Sequence, residues 1–84
     1  MSLRIDYPYD EAVNDLRVFF DNRIIHSDVK AELNRELDAS LKRKTVPMRY
    51  LFDQFIRYTN EHKLFDPYTN EEEKLINELL HFWG

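Results

Sequence analysis

The chain has 84 residues, of which 43% are hydrophobic, 14% aromatic and 33% charged, and its net charge is −4 at pH 7. This length predicts a single domain over residues 1–84, and the apolar content suffices for a core, which argues against a disordered chain. The absence of cysteine excludes disulfides, thiolate metal sites and thiol nucleophiles, and the acidic balance argues against a nucleic-acid partner.

Signals for export or membrane insertion are not apparent in the sequence. The N-terminal stretch MSLRIDYPYDEA has no apolar region of the secretory type, and no run of about 18 apolar residues exists to span a bilayer. We therefore expect a cytoplasmic protein.

The first helix is predicted from about Tyr9 to Arg23. Its apolar residues recur at spacings of three and four and form one stripe, which contains Ala12, Val13, Leu16, Phe19 and Phe20. Pro8 fits a first helical turn, where its missing N–H would have no partner. Asp10 and Glu11 suit the positive end of the helix dipole.

The second helix is predicted to start at Ser27, a residue type that favours the N-cap position. Its apolar residues then recur every four positions, at Val29, Leu33, Leu37 and Leu41. Lys42, Arg43 and Lys44 follow at the end of the helix, where cations complement the negative end of the dipole.

The third helix is predicted with Thr45 as its N-cap and Pro47 in its first turn. It has the widest apolar face of the four, formed by Met48, Leu51, Phe52, Phe55, Ile56 and Thr59. In the fourth helix, Thr69 and Glu72 have the spacing of a capping box, and the stripe contains Leu75, Ile76, Leu79, Leu80 and Trp83.

These four amphipathic segments are joined by short loops, and the only glycine is the last residue. Tight β-hairpins need glycine or Asn-Gly at positive φ, so the pattern argues against strands. It predicts an all-α fold, an antiparallel up-down four-helix bundle.

Residues suited to catalysis are sparse. The three histidines, His26, His62 and His81, lack the spacing of a metal site. The glutamates at 71–73 fall in a first helical turn, where acidic residues stabilise the helix in any case. We therefore predict no enzyme activity, no cofactor and no small-molecule substrate. A small metal-dependent hydrolase is the least supported alternative.

Two surface features are candidates for binding. The basic turn consists of Lys42, Arg43, Lys44 and Arg49, and it either complements helix ends or contacts anionic lipid headgroups or an acidic partner protein. The C-terminal half is also rich in aromatic residues, and we expect Phe65, Tyr68 and Trp83 to be partly exposed. Such residues either anchor a partner or pack beneath the loop.

The order of these features resembles the immunity proteins that protect bacteria from their own pediocin-like bacteriocins, the enterocin A immunity type. The resemblance covers nearly the whole chain, from an acidic first helix through HSDVKAELNRELDASLKRK and TVPMRYLFDQFIRYTNEHKLF to YTNEEEKLINELLHF. It implies a non-catalytic four-helix bundle in the cytoplasm. Such a protein acts at the toxin's receptor, the mannose phosphotransferase permease, once the toxin has engaged it, and contacts the inner membrane face peripherally.

In this family the C-terminal half governs which toxin is recognised. The resemblance therefore implies contacts from the hairpin between Tyr58 and Tyr68 and from the C-terminus, at Tyr58, His62, Phe65, Tyr68, Phe82 and Trp83. Lys42, Arg43, Lys44 and Arg49 match the family's basic surface.

The alternative is a small helical adaptor or regulatory protein that binds an intracellular protein partner. Within that class, FIRYTNEHKLFDP is similar to one stretch of SWIB domains.

Overall fold

The structure is a computed structural model that describes residues 4–84. In this range the chain forms four α-helices, namely α1 (Tyr9–Arg23), α2 (Ser27–Arg43), α3 (Met48–His62) and α4 (Asn70–Trp83). The described residues contain no strand. The predicted all-α fold class with four helices is therefore confirmed, while the up-down order of the bundle stays a prediction.

The first of two compact units covers residues 4–46 and contains α1 and α2, which pack against each other. The buried residues of α1 lie at the predicted positions of its stripe, Ala12, Val13, Leu16, Phe19 and Phe20. From α2, Leu33 and Leu37 are buried, whereas Leu41 at its end is exposed. Full burial of a leucine or phenylalanine contributes about 1.5–3 kcal/mol, so these side chains dominate the stability of the unit.

Arg17 connects the two helices of this unit through polar contacts. Its guanidinium donates to the side-chain oxygen of Asn34 at 2.7 Å and to the carboxylate of Asp38 at 2.8 Å. Because the three side chains remain partly exposed to solvent, their contacts contribute on the order of 1 kcal/mol or less to stability. Arg17 therefore links α1 to α2 but adds little to the stability of the pair.

The second compact unit, Pro47–Gly84, contains α3 and α4, which also pack against each other. The buried residues of α3 are Met48, Leu51, Phe55 and Tyr58, and those of α4 are Ile76, Glu78 and Leu79. Spacings of three and four place the α3 set on one face of its helix, and a spacing of three does the same for Ile76 and Leu79 of α4. The loop between the two helices covers residues 63–69.

The starts of the helices agree with the sequence only in part. The capping box is confirmed, because the Thr69 hydroxyl accepts from the Glu72 N–H and the Glu72 carboxylate accepts from the Thr69 N–H. The predicted N-cap at Ser27 is wrong, because Ser27 is already helical and His26 is the N-cap without a side-chain cap bond. Pro8 is likewise the N-cap of α1 rather than a residue of its first turn.

The predicted N-cap at Thr45 is also wrong, because α3 begins after Pro47 and its N-cap is Pro47 itself. A residue that precedes proline is pushed towards extended backbone, so Val46 cannot continue a helix into Pro47. The backbone N–H of Thr45 instead donates to the carbonyl of Ser40 at 3.2 Å. Thr45 therefore contributes to the end of α2, not to the start of α3.

Two lysines end α2 and α3. Lys44 has φ 57° and Lys63 has φ 56°, in the left-handed region where glycine is usually found. At each end, two N–H groups donate back to carbonyls of the last turn, from Lys44 and Thr45 after α2 and from Lys63 and Leu64 after α3. The helices therefore stop through backbone geometry, without a glycine.

Candidate functional site

Three consecutive cations lie at the end of α2. Lys42 and Arg43 occupy its last turn, Lys44 is the left-handed residue that follows, and all three are exposed. Within the described residues 4–84, none of the three takes part in an ion pair. The group therefore presents positive charge to solvent, next to the negative end of the helix dipole.

Arg49, the fourth residue of the predicted basic turn, belongs to the second compact unit. It lies in the first turn of α3 and is exposed. The structure thus assigns the predicted cluster to two units, three cations at the end of α2 and one at the start of α3.

The loop after α3 presents the most exposed aromatic side chain of the described residues. Phe65 has 68% of its surface exposed, and Asp66 and Pro67 beside it are also exposed. Tyr68, the next aromatic along, is half-buried. The expectation that Phe65 and Tyr68 are partly exposed is confirmed.

Tyr58 was predicted among the contact residues, but it is buried, with 4% of its surface exposed. It shares the inward face of α3 with Leu51 and Phe55, so a partner cannot reach its ring and we remove it from the candidate contacts. His62 lies one turn later, in the last turn of α3, and is exposed. Its ring centroid lies 4.9 Å from that of Tyr58.

The last turn of α4 contains Phe82 and Trp83, both half-buried, so the expectation of partial exposure is confirmed for Trp83. The ring of His81 meets that of Phe82 edge-on, with the centroids 4.8 Å apart. Both aromatic residues therefore offer part of their surface to solvent while they pack locally.

An open groove of about 490 Å³ lies on the second compact unit, at the start of α3 and the end of α4. It is lined by Arg49, Phe52, Asp53, Ile56 and Leu80. The sequence placed Phe52, Ile56 and Leu80 on core-facing stripes, but the first two are half-buried and Leu80 is 37% exposed. The unusual width of the apolar face of α3 is the signal that could have indicated a solvent-facing groove.

A polar cluster that the sequence did not indicate lies at the start of the first unit. Tyr7 is buried, and its hydroxyl donates to the carboxylate of Asp15. The guanidinium of Arg4 lies 3.9 Å from the ring centroid of Tyr7 and also pairs with the carboxylate of Glu11. Burial, and then the hydrogen bond to Asp15, raise the pKa of the Tyr7 phenol well above its usual range. A phenol held neutral in this way is a structural contact and a poor acid.

The described residues offer no group of three or more His, Asp or Glu side chains that could hold a metal ion. None of their helices is both long enough and apolar enough to cross a bilayer. The surfaces that the described residues offer for binding are the cations at the end of α2, the loop around Phe65, the end of α4 and the groove.

Comparison with known proteins assigns the chain to no group, because no protein-family model, no curated protein and no solved structure matches it.

Proposed function

We propose that this protein is a bacteriocin immunity protein that protects its host from a pediocin-like toxin. It acts without catalysis, through contact with the toxin-engaged mannose phosphotransferase permease at the inner face of the membrane. The order of features along the whole chain is the single observation that carries the proposal. The features are a second helix that ends in Lys42, Arg43 and Lys44, a third helix after Pro47, and a fourth opened by Thr69 and Glu72.

The exposed cations at the end of α2 support contact with an anionic surface. Each Lys or Arg near the cytoplasmic leaflet contributes about 1 kcal/mol of attraction at physiological salt. Lys42, Arg43 and Lys44 together therefore add a few kcal/mol, which aids a protein contact at the membrane but does not replace one.

The exposed aromatic surface of the second unit supports the protein contact itself. Large aromatic side chains that become buried in an interface account for much of its binding free energy. Phe65 is the most accessible of them, and Tyr68, Phe82 and Trp83 each keep part of their surface open. These residues and His62 are the proposed contacts with the permease and its bound toxin.

Expression in a sensitive Gram-positive strain tests the proposal directly. Cells that carry the protein are challenged with a broad panel of pediocin-like peptides, and killing is compared with that of cells carrying the empty vector. We expect protection against at least one toxin. Unchanged killing by every member of the panel, with the protein present and folded in the cells, would reject the immunity function and leave the adaptor alternative.

A paired charge reversal tests the cations. Lys42→Glu with Arg43→Glu should leave the helical circular dichroism spectrum intact and weaken protection. The matched control is Arg35→Glu with Lys74→Glu, which reverses the same number of exposed charges at other sites. If both double variants protect equally well, the cations at the end of α2 only complement the helix dipole.

A further inference from the structure

The groove of the second unit combines an apolar floor with one uncompensated cation. Phe52, Ile56 and Leu80 supply the apolar surface, and Arg49 and Asp53 supply the charges. The carboxylate of Asp53 is already paired with Arg57, at 3.2 Å between Nε and Oδ2. In the described part of the chain Arg49 makes no hydrogen bond or ion pair through its guanidinium.

An occupant of this groove is expected to combine an apolar side chain with a neighbouring carboxylate. The apolar group covers the floor, and the carboxylate meets Arg49, whose planar guanidinium suits a two-point contact. A groove of about 490 Å³ has room for one aromatic ring and the backbone on either side of it.

The chain itself presents this combination on the loop between α3 and α4. Phe65 is 68% exposed, and Asp66, the next residue, is also exposed. An aromatic ring with that much surface in water gains free energy when it is covered, by about 25 cal/mol for each Å² removed. The Phe65–Asp66 pair therefore complements the groove in apolar character and in charge.

Distance prevents the loop from reaching the groove of its own chain. The groove lies at the start of α3, and the loop follows the end of α3. From Asp53 to His62 the helix spans about 14 Å, at about 1.5 Å per residue. A two-fold axis perpendicular to α3 at its middle reverses the helix direction in a second copy, which brings the loop end of α3 in each copy to the groove end of α3 in the other. The same contact then forms twice in one dimer.

We propose that the protein self-associates into a two-fold dimer in which Phe65 of each copy enters the groove of the other and Asp66 pairs with Arg49. One side chain and one ion pair from each copy predict an interface smaller than the about 1,200 Å² of stable complexes, so we expect a dissociation constant on the order of 100 μM. The dimer covers Phe65, which the permease contact also uses, so a receptor and a second copy compete for this residue.

Sedimentation equilibrium of the purified chain tests the dimer, at concentrations up to about 1 mM, ten times the expected constant. We expect the wild-type protein to shift from monomer to dimer across this range. Phe65→Ser should raise the dissociation constant by at least about tenfold, and Leu80→Asp should do the same from the groove side. Ile5→Ser is the matched control, since Ile5 is 96% exposed and lies outside both surfaces. A wild-type monomer at every concentration, or a dimer that Phe65→Ser leaves unchanged, overturns the proposal.

A charge exchange tests the ion pair separately. Arg49→Asp and Asp66→Arg should each weaken the dimer about threefold to tenfold, and the double variant, with the charges exchanged, should recover most of that loss. Arg35→Asp, an exposed charge reversal on α2, should leave the constant unchanged. A double variant that associates no better than the weaker single variant overturns the pairing. These measurements use only the purified chain, so their outcome is independent of the protection assay.

Discussion

The phenol of Tyr7 donates a 2.5 Å hydrogen bond to the carboxylate of Asp15, which ties the segment before α1 to the helix itself. Replacing Tyr7 with Phe keeps the buried ring and its contact with Arg4 but removes the donor. We expect Tyr7→Phe to lower the free energy of unfolding by about 1–2 kcal/mol, because the bond is made to a charged acceptor. Urea denaturation at neutral pH measures this change.

The control for this prediction is Tyr50→Phe, since Tyr50 is exposed and lies on α3. The control should change the free energy of unfolding by less than about 0.5 kcal/mol. Equal effects of the two substitutions would show that the bond from Tyr7 to Asp15 contributes nothing specific.

The same phenol predicts how stability falls at alkaline pH. Burial and the contact with Asp15 raise the pKa of Tyr7 in the folded chain, whereas an unfolded tyrosine titrates near pH 10. The contribution of Tyr7 to the free energy of unfolding is therefore fully present below about pH 10. It is lost above that pH, because the unfolded chain releases a proton that the folded chain retains. Above about pH 10, Tyr7 lowers the free energy of unfolding by at most about 1.4 kcal/mol for each pH unit.

Urea titrations at several pH values between about 9 and 11 check this slope. The stability of wild-type protein should fall more steeply in that range than the stability of Tyr7→Phe, which lacks the ionising group. Parallel curves for the two proteins would mean that other groups govern the alkaline loss.

The capping box of α4 gives a prediction of local stability. Thr69→Ala removes the acceptor of the Glu72 N–H, which should cost about 1 kcal/mol, whereas Thr69→Ser keeps the oxygen and should cost much less. Amide hydrogen exchange at Glu72 reports the local effect. Faster exchange at this amide is expected in Thr69→Ala and not in Thr69→Ser, and the same exchange rate in both variants would contradict a role for the hydroxyl.

The left-handed backbone at Lys63 predicts a substitution that increases stability. Because glycine adopts φ 56° without strain, Lys63→Gly should raise the free energy of unfolding by about 0.5–1 kcal/mol. Lys42→Gly is the matched control, since Lys42 is helical and its replacement should lower stability by about 0.5–1 kcal/mol. Thermal or urea denaturation checks both changes, and a loss of stability in Lys63→Gly would contradict the interpretation.

The sequence predicted the helices well because their apolar residues repeat at helical spacing and prolines interrupt the pattern. Pro47 marks the end of one segment and the beginning of another, and Thr69 with Glu72 marks the start of α4 by a reciprocal pair of hydrogen bonds. The predictions at Ser27 and Thr45 were wrong because a hydroxyl residue near a helix start has several backbone partners within reach. The sequence alone does not select among them.

The candidate surfaces were less predictable for a different reason. Tyr58 and Phe65 are both aromatic residues near the end of α3, yet one is buried and the other is exposed. Composition shows that there are more aromatic residues than a small core can hold, but only the backbone path shows which of them are left outside. The groove could not be predicted from the sequence for the same reason. Half-buried residues such as Phe52 and Ile56 fit the apolar pattern of a core-facing helix as well as buried residues do.

Lys44 and Lys63 also restrict the unfolded chain. A glycine at either position would enlarge the set of conformations that folding must remove, whereas a lysine keeps that set smaller and carries local strain in the folded state instead. Backbone strain in the folded state at these two positions is thus offset by the lower conformational entropy of the unfolded chain. The free energy of unfolding with lysine at these positions should therefore improve relative to that with glycine as temperature rises. The reason is that the entropy that glycine adds to the unfolded state is multiplied by temperature.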